Sequence, residues 1–150
     1  MRRVVQLCAP GCAHSVRKEA VWTVANFALG GTAEQIKATV RPGLIRALVD
    51  GLSFDDSDLL LAVIGGLSKV LNVGAKVKEK GENPFLNLME ECKGSRFLEM
   101  LKHHKNKNVR VSAGDFLQKF LVGVKKRWVW RKKKIDATSN PPSNFSPASR

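Results

Sequence analysis

VRKEAVWTVANFALGG, residues 16–31, followed at once by TAEQI (32–36), decides how the rest of the chain is read. On a helical wheel at about 100° per residue, Val21, Val24 and Ala28 fall on one side. Glu19, Trp22 and Asn26 share an arc of about 60° on the other. The small apolar residues make a packing face, so this is an amphipathic helix whose open side carries a carboxylate, an indole and a carboxamide. Ser15 is placed to cap it and Gly30-Gly31 to end it. Thr32 and Gln35 form a capping-box pair that opens a second helix, which stops before Pro42-Gly43.

The same punctuation continues downstream. Leu44 to about Leu52 reads as a third helix, and Asp55, Asp56 or Ser57 caps a fourth that runs to about Asn72. Gly74 to Glu82 is a polar, lysine-rich loop. Helices then follow from about Pro84 to Cys92, from about Arg96 to His103 and from about Val109 to Val124. No stretch of useful length alternates with period two, so no strand is expected. Upstream, residues 1–13 are expected to be irregular. Pro10 and Gly11 oppose a long helix there, although MRRVVQLCAPGC can fold back as a makeshift cap. Two arginines before a short apolar stretch imitate a secretory leader, but Gln6 and Pro10 interrupt it.

Laying the three long helices over one another sets a register. Val16 falls on Leu59 and Val109, Ala20 on Val63 and Ala113, and Leu29 on Asn72 and Val122. The offsets are 43 and 50 residues, the longer one absorbed by the loop at 74–82. Three helices per period in the low forties is the pattern of an armadillo or HEAT-like solenoid, with a single-core helical bundle as the alternative. The domain plan is an irregular segment 1–13, a repeat domain 14–124 in units of about 14–29, 32–73 and 83–124, and a tail 125–150.

Charge divides the chain. Net charge is +13 over 150 residues. Residues 1–92 carry 11 Lys/Arg against 10 Asp/Glu, and residues 93–150 carry 15 against 3. The run KKRWVWRKKK supplies Lys125, Lys126, Arg127, Arg131, Lys132, Lys133 and Lys134. It has three readings: a grip on nucleic acid through phosphates and the stacking indoles Trp128 and Trp130, a nuclear localisation signal in its own right, or a solvated charge run. The Ser-, Pro- and Asn-rich end that follows Ile135 is expected to be disordered. The longest uncharged apolar run, Leu59 to Leu67, is too short to span a bilayer, which excludes an integral membrane protein. Cys8, Cys12 and Cys92 have no framework spacing, which points to a reduced compartment.

Enzyme chemistry finds little support. Cys8, Cys12 and His14 make a C-x3-C-x-H half-site without a second ligand pair, so no metal is expected. Cys92 has no evident base, no glycine-rich phosphate loop exists, and no cofactor is implied. Gly65-Gly66, in the middle of a helix, reads as permission for close packing. The trio on the first long helix has a clearer use. A Trp face stacks on Lys or Arg side chains, Asn donates to and accepts from an extended backbone, and Glu supplies a countercharge. The bland alternative is a Trp flanking the core, a solvated Asn and a Glu paired to a neighbouring base.

RKEAVWTVANFALGGTAEQI with the glycine-led helix GLIRALVDGL resembles an armadillo repeat of importin alpha, the adaptor that binds nuclear localisation signals. NPFLNLMEECKG followed by FLEMLKHHKNKNVRVSAGDFLQKFL resembles that family's terminal repeat. The resemblance covers about residues 14 to 121 and matches the last three of about ten repeats. It implies an all-α, right-handed superhelical solenoid of about two and a half repeats. It also implies a nuclear and cytoplasmic transport role, with Trp22 packing on basic cargo side chains, Asn26 clamping the cargo backbone and Glu19 in the minor, C-terminal site. Ala62, Gly65 and Lys69, then Ser112, Asp115 and Lys119, stand at the matching positions downstream, so one unit alone presents the trio. No importin-beta-binding arm or major-site repeat is found, and the basic end replaces the family's acidic one. Importin beta is therefore not an expected partner, and weak binding of basic localisation peptides is the expectation, with Kd no tighter than about 0.1–1 mM. The alternatives are a nucleic-acid-binding protein acting through the tail and a remnant that transports nothing.

Overall fold

The computed structural model describes residues 1–40, 43–78 and 80–122. Helix follows helix: α1 (Arg2–Leu7), α2 (His14–Gly30), α3 (Ala33–Val40), α4 (Leu44–Gly51), α5 (Ser57–Lys76), α6 (Pro84–Glu91) and α7 (Gly94–Leu101). A further helix, α8, covers 107–122. No β-strand forms among the described residues. The short–short–long unit α3–α4–α5 recurs as α6–α7–α8, and α2 is the long helix of the unit before. α2 lies along α5, α4 packs on both, and α6 rests on α4 and α5. The result is an all-α, solenoid-like stack.

Sequence register explains the packing. Ala20, Val63 and Ala113, one from each long helix, are all buried. α2 buries Ala20, Val21, Val24, Ala25 and Ala28 and so presents a nearly flat apolar strip. α5 meets it with Gly66, where a Cβ would stand 3.1 Å from the Ala28 Cβ and 3.4 Å from the Ala25 carbonyl oxygen. Only a residue without a side chain lets the helices approach this closely. Gly43, at φ +108°, makes the left-handed turn from which α4 starts. The core that results is one cluster reaching from Cys8 to Leu121, and every buried residue described is apolar.

Several expectations need correction. Residues 1–13 are not wholly irregular: RRVVQL winds into α1, which packs on α2 with Val4 and Val5 against the core and Cys8 buried. Arg17 holds the end of α1 by donating from Nε to the Cys8 carbonyl at 3.3 Å. Ser15 does not cap α2. That helix starts at His14 with Ala13 as its N-cap, and the His14 ring sits 5.1 Å from the Phe54 ring of the next unit. Val16 is 42% exposed and not part of the packing face, since six-residue α1 does not close over it.

α5 runs on to Lys76, into the stretch expected to be a loop, because Gly74 fits closely against Asn83 and Phe85 and its backbone stays helical. At 20 residues α5 is also long and apolar enough to cross a membrane by length and composition. The shortness of the uncharged run Leu59 to Leu67 therefore does not by itself exclude a membrane span. Leu59, Leu60, Val63, Leu67 and Leu71 are nevertheless fully buried against the neighbouring helices, which gives α5 the composition of a core helix.

The α4–α5 turn joins the three units through charge. Asp56 caps α5 by accepting from the Leu59 N–H at 3.0 Å and ion-pairs with Lys18 of α2 at 2.7 Å. Asp55 pairs with Lys105 at 3.2 Å and lies 3.6 Å from His104 Nε2, both in the α7–α8 turn. The Lys18 hydrogen bond, then the Leu59 N–H, hold the Asp56 carboxyl below its ordinary range. The Lys105 hydrogen bond does the same for Asp55, and Asp56 in turn raises the Lys18 ammonium.

Candidate functional site

The site is built on α2, because that helix has its two sides so unlike. With its small residues buried against α4 and α5, the opposite side is turned outward over two turns. Glu19 and Asn26 are exposed there, and Trp22 between them is half-buried, its ring packed against the core. Among the described residues neither the Glu19 carboxylate nor the Asn26 carboxamide makes a side-chain hydrogen bond or ion pair. The neighbouring Lys18 turns to Asp56, and Thr23 donates to the Glu19 backbone carbonyl at 2.9 Å. An anchored indole flanked by an uncommitted carboxylate and an uncommitted carboxamide is equipped to hold a cationic side chain and a peptide backbone.

Downstream the face changes character. Lys69, at the register position of Asn26, donates from Nζ to the Leu29 carbonyl at 2.6 Å, near the end of α2. A lysine cannot accept from a peptide N–H as Asn does, so the clamp is not repeated. Gly65, at the position of Trp22, carries no side chain, and a Cβ there would stand 3.1 Å from Leu29 Cδ2. A groove of about 260 Å3 lies between α5 and α8, lined by Leu61, Ile64, Gly65, Ser68, Ser112, Asp115, Phe116 and Lys119. A second groove of about 390 Å3 lies between α1 and α2, and Glu19 is among its lining residues. The α5–α8 groove went unseen as a site in the sequence. The register that puts Asp115 over Trp22 was the available signal, but it does not say that α5 and α8 leave a recess beside the carboxylate.

The other sequence candidates fall away or lie elsewhere. Lys125, Lys126, Arg127, Arg131, Lys132, Lys133 and Lys134 are outside the described residues. Among the described residues no group of three or more His, Cys, Asp or Glu could hold a metal ion. Cys8, Cys12 and Cys92 are free thiols. Burial first, then the Asp50 charge, pushes the Cys8 thiol up to about 11, and burial likewise raises Cys92, so neither is an activated nucleophile.

No family model matches the chain. Curated relatives do. The chain is 33% identical over 106 residues to importin subunit alpha-5 of Arabidopsis thaliana, covering 70% of this chain and 20% of that one. It is 30% identical over 105 residues to importin subunit alpha-8 of Mus musculus, covering 70% and 21%. The chain thus spans about a fifth of the length of the curated relatives it matches. Among solved structures, computationally designed armadillo repeat proteins for modular peptide recognition superimpose with a TM-score of 0.62 at 25% identity, over 79% of this chain and 46% of theirs. Another designed armadillo repeat protein, at 24% identity and a TM-score of 0.58, shares the fold. The chain carries an importin-alpha-like armadillo segment.

Proposed function

We propose that this chain is a peptide-binding adaptor of the importin alpha kind, which holds extended, basic nuclear localisation signals against α2 in the traffic between cytoplasm and nucleus. The observation that carries the reading is the common face of Glu19, Trp22 and Asn26, with the indole seated on the core and the two polar side chains in no hydrogen bond or ion pair among the described residues. Trp22 stacks on the methylene stem and charge of a lysine or arginine, Glu19 supplies the countercharge, and Asn26 pairs with the cargo backbone. The likeness to importin alpha subunits and to armadillo proteins designed for peptide recognition supports it. The role is binding, not catalysis.

One trio makes a weak site. Two or three contacts of about 1–2 kcal/mol each must offset the entropy of association, which places Kd at about 0.1–1 mM. The test is fluorescence anisotropy of a labelled lysine-rich localisation peptide titrated with the 150-residue chain and its Trp22→Ala variant at physiological salt, after circular dichroism has shown both to be helical. Saturable binding lost in the variant is expected. A folded chain that binds nothing up to about 1 mM overturns the reading.

The concentration of positive charge beyond residue 93 favours a second reading, nucleic-acid binding through Lys125–Lys134. A single-stranded oligonucleotide tests it: such binding falls steeply with salt and is indifferent to Trp22.

A further inference from the structure

We infer that the groove between α5 and α8 is a second subsite for the same extended peptide and takes one further lysine or arginine side chain, with Asp115 as its counterion. This rests on the α2 face being a peptide site. The recess lies between α5 and α8, and Gly65, at the register position that α2 fills with Trp22, is part of its lining and carries no side chain to fill it. Its floor is apolar, with Ile64 and Phe116 buried and Leu61 beside them, and suits the methylene stem of a long basic side chain. Its rim is polar, with Ser68 and Ser112 hydroxyls beside the exposed Asp115 carboxylate.

Charge decides for a cation. Among the described residues Asp115 has no ion pair, even though Lys119 lies one helical turn away. Lys119 turns its ammonium over the Phe120 ring, 5.0 Å from the centroid. Lys69, the other base on this face, is committed to the Leu29 carbonyl. Among the described residues that line the recess, the charged group without an ion pair or ring contact is the Asp115 carboxylate.

Spacing follows from the stack. Neighbouring long helices pack about 8–10 Å apart, which puts the α5–α8 recess about 12–15 Å from the α2 axis. Extended peptide covers that in about four residues. The preferred ligand therefore has two basic residues about four positions apart, one on Trp22 and one at Asp115.

Two fluorescein-labelled alanine/serine peptides test this, one with lysines at i and i+4 and one with the lysine at i alone. They are titrated by anisotropy with the 150-residue chain and its Asp115→Asn, Trp22→Ala and Glu34→Gln variants. Glu34, on α3, serves as a carboxylate away from the groove. Asp115→Asn is expected to weaken the two-lysine peptide by about two- to fivefold, the size of an exposed ion pair, and to leave the one-lysine peptide unchanged. Glu34→Gln should change neither. If Trp22→Ala removes binding while Asp115→Asn does nothing, the subsite is overturned and the α2 site stands. If Glu34→Gln weakens binding as much as Asp115→Asn, the effect is net charge and the subsite is again overturned. Binding indifferent to Trp22 overturns the α2 reading; a two-lysine preference still lost with Asp115→Asn then supports the recess as a site on its own.

Discussion

At the scale of single residues, Trp22 has two duties that must be separated before its role can be read. Its ring is packed against the core, so Trp22→Ala removes part of a hydrophobic contact as well as a stacking surface. Half of the about 3–5 kcal/mol lost on truncating a fully buried Trp sets the expected destabilisation at about 1.5–2.5 kcal/mol. Urea unfolding followed by circular dichroism gives the value. A larger loss would make the indole chiefly a core residue and would favour the bland view of the trio. Cys8 gives a second prediction. Its thiol is raised to about 11 by burial, whereas Cys12 is only partly covered. At pH 8 iodoacetamide should modify Cys12 first, with Cys8 slower by about tenfold or more, as mass spectrometry of digests would show. A thiol whose pKa is raised on folding leaves stability intact below its ordinary value of 9.0 and erodes it as pH climbs through about 11. Equal rates at Cys8 and Cys12 would mean that α1 opens readily from α2.

At the scale of helices, what the sequence discloses is whatever is encoded locally. The Thr32–Gln35 capping box forms both of its reciprocal bonds, 2.9 Å from the Thr32 N–H and 3.2 Å to Thr32 Oγ1. One of the three residues offered as the α5 cap, Asp56, does cap it. The face shared by Glu19, Trp22 and Asn26 was legible because helical period alone fixes it. What was hidden depends on contacts between distant segments. α1 is too short to be stable by propensity and is held by Val4, Val5 and Cys8 packing on its neighbours. The extra turn of α5 depends on Asn83, whose carboxamide donates to the Leu71 carbonyl at 2.8 Å while its oxygen caps α6 through Phe85 and Leu86 N–H groups. The α5–α8 groove joins residues about fifty apart, and only the stacking order of the helices brings them together. Asn83→Ala should therefore cost about 1–2 kcal/mol, combining a lost cap with a lost bridge between helices. Asn83→Asp, which caps α6 but cannot donate to Leu71, should recover only part of it. Full recovery would remove the bridge from the account.

At the scale of the whole stack, stability is a sum over units and the interfaces between them, so what couples the units matters more than any one helix. Apolar packing does most of it, through Gly66 on Ala28 and the buried faces of α4, α5 and α6. Among the described residues, charge adds a pH-dependent component at the α4–α5 turn, where Asp56 reaches back to Lys18 and Asp55 reaches forward to Lys105. Both carboxyls are held below their ordinary value of 3.8 in the folded chain. A carboxyl depressed on folding contributes its stability above that ordinary value and surrenders it as pH falls through the lower folded one. Thermal melts between pH 5 and pH 2 should show a midpoint that is level at first and then declines as pH drops below 3.8. The Asp55→Asn, Asp56→Asn double variant should start lower at pH 5 and decline less steeply, because the two side chains no longer titrate. Asp55 is exposed and Asp56 partly so, and added salt should narrow the gap between wild type and variant at pH 5 by screening the pairs. Parallel declines in the two proteins would assign the acid sensitivity to other carboxylates and leave apolar packing alone to hold the three units in register.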